Sequence, residues 1–291
     1  MVFDVNRYQR KRIQFIFSLS TFHFSLSNAQ LLIERTTTKD DGLEMYTAFA
    51  RVYDELMNTV DYDAWAARYA SLMAGCGVPE KGKCVECACG TGNLTLRFKK
   101  KGYQITGIDL SEEMLAAAME KARAAGETIP FVRQDMCALT VPRRVDCVLA
   151  TCDGVNYLTS PERVQAFFAA AFAALKPGGA LIFDVSTPDK LKNTLGNSTL
   201  YSDDDSVSYI WCNAWDEKSA CVTLTLSLFV RRPDGAYDRM EERQMQRAHT
   251  RRELKTWLTE AGFQDIQFFG RLRQTPPRTG DDRWHVTAIK K

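Results

Sequence analysis

Histidine is scarce in this chain: three of 291 residues, His23, His249 and His285. Cysteine is more plentiful, at nine, but no second cluster completes a four-ligand zinc site. Cys84, Cys87 and Cys89 have a C-x-x-C-x-C spacing that suits thiolate ligation. Alternation along a strand points Cys84 away from Cys87 and puts Cys87 and Cys89 on one face. They are read as core thiols, and no metal is expected. The odd count, scattered through apolar runs such as those around Cys147, Cys212 and Cys221, fits free thiols in a reducing compartment, the cytoplasm. A surplus of positive charge is lacking too. With 38 basic and 36 acidic residues the net charge is +2, which argues against a nucleic-acid partner.

Long apolar runs are also missing. Arg10-Lys11-Arg12 precedes Ile13 to Leu19 in the order of a secretory signal, and Ser27-Asn28-Ala29 mimics a cleavage site. Ser18, Ser20, Thr21, His23 and Ser25 break the stretch, which is too polar to span a membrane. Residues 1–44 are read instead as a disordered leader or upstream sequence, with Met45 as the natural start.

From Met45 the pattern is regular. Tyr46, Phe49, Ala50, Tyr53 and Leu56 share a helical face, and a second helix is expected over Tyr62 to Ala74. The apolar run Cys84 to Cys89 stops at Gly90-Thr91-Gly92, and a helical pattern around Leu94 to Lys101 follows. Such a strand–turn–helix brings backbone N–H groups close to a ligand. A second strand, Tyr103 to Ser111, carries Asp109, which lies 19 residues beyond Gly90. A carboxylate there can accept both hydroxyls of a ribose, so an adenosine-containing ligand is expected. Asp109 could also simply cap the helix that opens at Ser111 and runs to about Ala125. A dinucleotide grip needs a small residue where this chain has Thr95, which disfavours NAD.

Further strands are expected at Phe131 to Met136, Val145 to Thr151 and Ala180 to Val185. The helix from Ser160-Pro161 to Leu175 ends at Lys176-Pro177-Gly178-Gly179. Strands alternating with helices imply a parallel, doubly wound α/β sheet. After Pro188 the alternation stops. Residues 189–205 read as a polar connection, and Ser206 to Trp215, Cys221 to Arg232 and Tyr237 to Ala248 as three antiparallel strands. Pro233-Asp234-Gly235 turns between the last two. A helix from Thr250 to Gly262 and strands at Phe263 to Gly270 and His285 to Lys290 close the chain.

Five segments in this order resemble the class I S-adenosylmethionine-dependent methyltransferases, in particular small bacterial members with an inserted antiparallel sheet. They are Val85 to Asn93, Gly107 to Ser111, Gln134-Asp135-Met136, Cys152 to Tyr157 and Leu175 to Gly179. Phe49 to Leu56 is similar to the start of these proteins. The resemblance implies a Rossmann-like seven-stranded sheet with the last strand antiparallel. Residues 45–188 and 249–291 would bind S-adenosylmethionine, and 189–248 would form the inserted sheet, a lid whose edges could also pair in a homodimer.

The resemblance also implies roles. Glu86, Cys87, Ala88, Gly90 and Gly92 surround the methionine end, Asp109 takes the ribose, and Leu110, Met114, Asp135 and Met136 surround the adenine. Cys152 and Asp153 stand near the sulfonium. Tyr53, and with it Tyr46, lies over the cofactor or else faces the core, and Asp135 could be a turn residue only. The family often has glycine where this chain has Ala88. The catalytic residue, if one is needed, is not named by any motif.

The expected reaction is methylation of a nitrogen or oxygen of a small molecule. The Asn/Asp-Pro-Pro-Tyr segment common in amino-directed nucleobase methylases is absent; Cys152-Asp153-Gly154-Val155 stands there. Cys152 lacks the proline context of a cytosine-attacking thiol and is read as a wall residue. Two other readings remain: an RNA methyltransferase using Arg243, Arg247, Arg251 and Arg252, or a protein that binds the cofactor without turnover. Glu241, Glu242 and Glu253 make that basic group look like a mixed solvated face.

Overall fold

The computed structural model describes residues 52–271 and 273–291. The expected leader, Met45, Tyr46 and Phe49 lie outside the described residues. Residues 52–56 are helical and lead to α1 (Tyr62–Gly75), whose Asp61 cap accepts the Ala64 N–H at 2.9 Å. Then follow β1 (Lys83–Cys87), α2 (Asn93–Lys100), β2 (Gln104–Asp109), α3 (Glu112–Ala124), β3 (Phe131–Arg133), β4 (Val145–Ala150), α4 (Pro161–Ala174) and β5 (Leu175–Ser186). Four strands come next: β6 (Thr199–Ser202), β7 (Val207–Asp216), β8 (Cys221–Arg231) and β9 (Tyr237–Arg247). The chain finishes with α5 (Arg251–Glu260), β10 (Gln264–Gly270) and β11 (Arg283–Ile289).

The main sheet has seven strands in the order β10-β11-β5-β4-β1-β2-β3. Strands β1 to β5 pair in parallel, and the last strand, β11, runs antiparallel to β5 and β10. Central strands are buried on both faces, which is why β1 and β4 read as continuous apolar runs. Alternation splits them. Cys84, Cys147 and Ile182 join Trp65, Tyr69 and Phe98 in one apolar cluster. Val85, Cys87, Val148 and Phe183 join Phe167, Leu254 and Leu258 in another. Among the described residues no helix is long and apolar enough to cross a membrane.

Sequence signals account for the helix ends. Ser111 accepts the Met114 N–H at 3.1 Å and Ser160 the Arg163 N–H at 3.3 Å, and Thr250 forms a full capping box with Glu253. Gly107 has no room for a side chain: a Cβ there would lie 2.7 Å from the Phe131 ring and 2.9 Å from Cys89 Sγ. Phe131 of β3 and Cys89 therefore pack directly over β2 at this point.

Three expectations are corrected. The strand expected to Met136 ends at Arg133, because the Asp135 carboxylate accepts the Cys137 N–H at 2.9 Å and starts a 3-10 turn over Met136–Ala138. Lys176 to Gly179, expected to be a helix stop only, belongs to β5. Leu175 pairs with Val145 and Ala180 with Cys147, so the intervening residues bulge. Strand β11 satisfies the bulge: Gly178 N donates to Lys290 O at 2.6 Å, and Lys290 N to Gly179 O at 2.9 Å. The region 189–205 holds a π-helical turn, Lys190–Leu195, and β6, so the second sheet has four strands, β6-β7-β8-β9, rather than three. The polar sequence of β6 hides it because edge strands need little apolar surface.

The sheets meet at a buried polar junction. Arg283 of β11 pairs with Asp184 of β5 and, at 3.3 Å, with Asp153 beyond β4; all three side chains are fully buried. Asp153 also accepts from Gln246 of β9 and from Ser186, each at 3.2 Å, and Tyr69 of α1 donates to Asp184. Removing one partner of a buried ion pair strands the other charge. Arg283→Met is expected to lower the unfolding free energy by about 3–5 kcal/mol, measured by urea titration; an unchanged midpoint at unchanged slope would refute this.

Candidate functional site

At the carboxyl ends of β1 and β4 the backbone turns sharply. Ala88 has φ 55°, Gly90 54°, Cys152 53° and Asp153 55°. For side-chain-bearing residues this conformation costs roughly 1–3 kcal/mol and persists where the surroundings enforce it. Ala88 shows why glycine is common there in the resembling family. Gly90 is different: a Cβ built on it would meet nothing within 4 Å, so its backbone faces open space. The first residues of α2 lie just behind this turn.

Asp109 is held by two backbone donors, Gly90 N at 2.8 Å and Ser111 N at 3.0 Å. It links the glycine turn to the start of α3 and lines a cleft of about 700 Å³. Leu110, 44% exposed, lies beside it, with Ala88, Gln134, Asp135 and Met136. Asp135 is paired with Arg163 at 3.0 Å. Burial raises the Asp135 pKa, but the Cys137 N–H and Arg163 outweigh it and leave the carboxyl below its ordinary value.

A narrower recess adjoins this cleft, lined by Tyr53, Tyr62, Glu86, Gly90, Thr151 and Cys152. Glu86 is buried, and its oxygens accept from Thr95 and, at 2.7 Å, from Thr151. Among the described residues no cation pairs with it. Burial pushes its pKa up to about 7, against the two hydroxyl hydrogen bonds that lower it. The recess is fastened from outside. Asp54 accepts from Thr91 Oγ1 at 2.7 Å and from Asn93 Nδ2 at 3.0 Å, and pairs with Lys121 at 2.8 Å.

The expected residues thus divide. Ala88, Asp109, Leu110, Asp135 and Met136 line the cleft, and Tyr53, Glu86, Gly90 and Cys152 the recess. Cys87 and Met114 are buried and line neither. Gly92 is the cap of α2, where a Cβ would touch Ala118 and Phe131. Asp153 is committed to the junction with Arg283 instead of the cleft. Sequence reasoning missed Tyr62, Thr95, Thr151, Tyr157 and Arg163, as well as Thr223, Gln244 and Met245, which reach the cleft from β8 and β9; Arg243, singled out only as part of a basic group, lines the same cleft. Asp54 lies within Phe49 to Leu56, but its partner Lys121 is distant in the sequence and only the fold brings the two together.

The donor set fits an adenosyl–methionine ligand. An acid at the tip of β2 sits beside an exposed apolar residue, open backbone stands at Gly90, and an unpaired buried carboxylate suits an ammonium group. Fold and site together define an α/β enzyme of the S-adenosylmethionine-binding type. Residues 84–179 match the family model described as "Methyltransferase domain". The "Putative methyltransferase YqeM" of Bacillus subtilis (strain 168) is 36% identical over 247 residues, 84% of this chain and 97% of that protein. A crystal structure of an S-adenosylmethionine-dependent methyltransferase from Clostridium acetobutylicum ATCC 824 has a TM-score of 0.76 at 28% identity, covering 84% of this chain and 98% of that one. The glycine/sarcosine N-methyltransferase of Aphanothece halophytica is 25% identical over 257 residues, 85% of this chain and 90% of that protein. This chain belongs to the class I S-adenosylmethionine-dependent methyltransferases, and S-adenosylmethionine is its cofactor.

The state of Glu86 gives a pH signature. Its folded pKa of about 7 lies above the ordinary 4.5, so its contribution to stability is complete below about 4.5 and is lost as pH rises through about 7. In cofactor-free enzyme, denaturant titrations from pH 4.5 to 8 should show this decline, and Glu86→Gln should flatten it. Parallel curves for the two proteins would remove the assignment.

Proposed function

We propose that the enzyme transfers a methyl group to a nitrogen or oxygen of a small molecule held beneath the inserted sheet. The observation that carries this reading is the composition of the cleft. It is lined by Ala88 after β1 and by Asp109 and Leu110 at the tip of β2, together with Thr223, Arg243, Gln244 and Met245 of β8 and β9. Its volume is within the roughly 300–1,000 Å³ typical of small-ligand sites. Glycine/sarcosine N-methylation, in the name of the Aphanothece relative, supports a small amine as acceptor.

In this reading residues 45–188 and 249–291 form the cofactor-binding part and 189–248 the lid. Asp109 accepts from the ribose hydroxyls, Leu110 and Met136 pack on the adenine, and Asp135 meets its edge. Glu86 holds the methionine ammonium, with the backbone at Gly90 beside it. Cys152, in the recess, forms part of the wall near the transferred methyl.

When bound, the sulfonium supplies an electrophilic methyl and a neutral leaving group. The chain's residues then have to align the acceptor with it and exclude water, which is catalysis by proximity and orientation. An amine that arrives neutral needs no general base, consistent with the absence of a catalytic motif. The RNA reading is weakened by Arg247, which pairs with Glu253 at 2.6 Å and lies over the Trp257 ring at 5.7 Å.

Two measurements test the assignment. Asp109→Ala is expected to weaken S-adenosylmethionine binding at least roughly tenfold by calorimetry, the size of one or more charge-assisted hydrogen bonds; unchanged affinity would sink it. Arg243 has no charged partner among the described residues, so Arg243→Ala can be made without stranding a carboxylate. Once an acceptor is found by screening metabolites with labelled cofactor, Arg243→Ala should change the acceptor KM several-fold and leave cofactor affinity alone. The reverse pattern would place the acceptor elsewhere.

A further inference from the structure

A second cavity, of about 550 Å³, lies between α1 and the β10–β11 edge of the main sheet. It shares no lining residue with the cofactor cleft or recess. Its wall includes Arg68, Ser71, Gln267, Phe269, Gln274 and Thr287.

Arg68 is the unusual member. It is 7% exposed, and among the described residues no carboxylate pairs with it. Its Nη2 donates to Arg273 O at 2.5 Å, and its guanidinium lies over the Phe269 ring at 5.3 Å. Its Nε is buried without a hydrogen-bond partner. A buried cation left without an opposite charge is costly, and arginines in such places are ordinarily paired. Burial accordingly pulls its pKa below the ordinary value.

The surroundings do not supply the missing charge. Arg273 binds Asp281 at 2.5 Å, Arg271 binds Asp282 at 3.1 Å, and Asp265 at the rim binds Lys291 at 2.9 Å. His285, two residues before Thr287 on β11, is buried with neither ring nitrogen bonded, and burial followed by the Arg68 charge keeps it neutral. Gln274 donates to Ser71 Oγ at 2.8 Å, which leaves the Ser71 hydroxyl proton for another acceptor. The cavity thus presents one unneutralised fork of donors and a hydroxyl donor beside it.

We propose that this cavity is a binding site for a small oxyanion, a carboxylate or phosphate group of a metabolite, held by the Arg68 guanidinium with Ser71 beside it. The site is separate from methyl transfer. An arginine fork suits a planar carboxylate or a phosphate face bidentately.

The test is a titration of the whole chain with inorganic phosphate in one arm and succinate in the other. Binding is followed by thermal shift at constant ionic strength against a chloride control. Phosphate, succinate or both are expected to raise Tm saturably, and the stronger arm identifies the group. In Arg68→Met the midpoint should weaken roughly tenfold or more, the cost of losing a charged hydrogen-bond donor. Ser71→Ala, which keeps the arginine and the fold, should weaken it less. S-adenosylmethionine affinity should be unchanged in Ser71→Ala, so failure of the cofactor assignment and failure of this site are read separately. No saturable shift with either anion, or equal midpoints in wild type, Arg68→Met and Ser71→Ala, would overturn the proposal.

Discussion

The arrangement of the two sheets depends on a single buried group of charges. Asp153 and Asp184 supply two negative charges where β4 and β5 end, and Arg283 of the antiparallel strand lies between them. Lys190 adds a second positive charge: its Nζ donates at 3.0 Å to Ser186 Oγ, which itself donates to Asp153. Burial lowers the Lys190 pKa to about 8, with Asp153 opposing that effect. The charges balance, and each carboxylate draws a different element to the centre. Tyr69 brings α1, Gln246 brings β9, and Arg283 brings β11. Nearby, Asn156 bridges Ser186 O at 3.2 Å and Arg247 O at 2.9 Å, which closes the same seam through backbone. Buried polar networks of this kind define one arrangement because a shifted register would leave charges unpaired.

This group also explains the strained backbone at Cys152 and Asp153. Asp153 N donates to Asp184 Oδ2 at 2.9 Å while the Asp153 side chain serves the ion pair, and both demands are met in the left-handed conformation. The neighbouring Cys152 is thereby turned into the recess beside Glu86. The shape of the recess and the attachment of the inserted sheet thus rest on the same residues.

Much of this was legible in the sequence where local chemistry decides the outcome. The glycine turn, Asp109, the caps Ser111, Ser160 and Thr250, and the apolar strands β1 and β4 follow from short-range rules. Errors arose where distant partners decide. Strand β6 is polar because its neighbour β7 supplies the pairing, and Lys176 to Gly179 stays extended because β11, more than a hundred residues later, provides its partners. Asp153 sits in a segment that resembles the methyltransferase pattern, which pointed to the cofactor. Only the fold reveals that Arg283 claims it. Likewise Arg163 and Gln244 carry no local signature; the cleft gathers them from α4 and β9.

The two sheets are not separate bodies. Tyr209, Trp211, Leu224, Leu226 and Leu228 of the inserted sheet belong to the same apolar cluster as Val52, Tyr53, Trp65 and Tyr69 near the start of the described chain. Synthesis imposes an order on that cluster. The early helical residues leave the ribosome with one side of their core missing, and its complement lies some 150 residues downstream. At about 5–20 residues per second the wait is on the order of ten seconds. For that interval a nascent chain carries an adhesive, half-made core, and the inserted sheet is the piece whose arrival completes it.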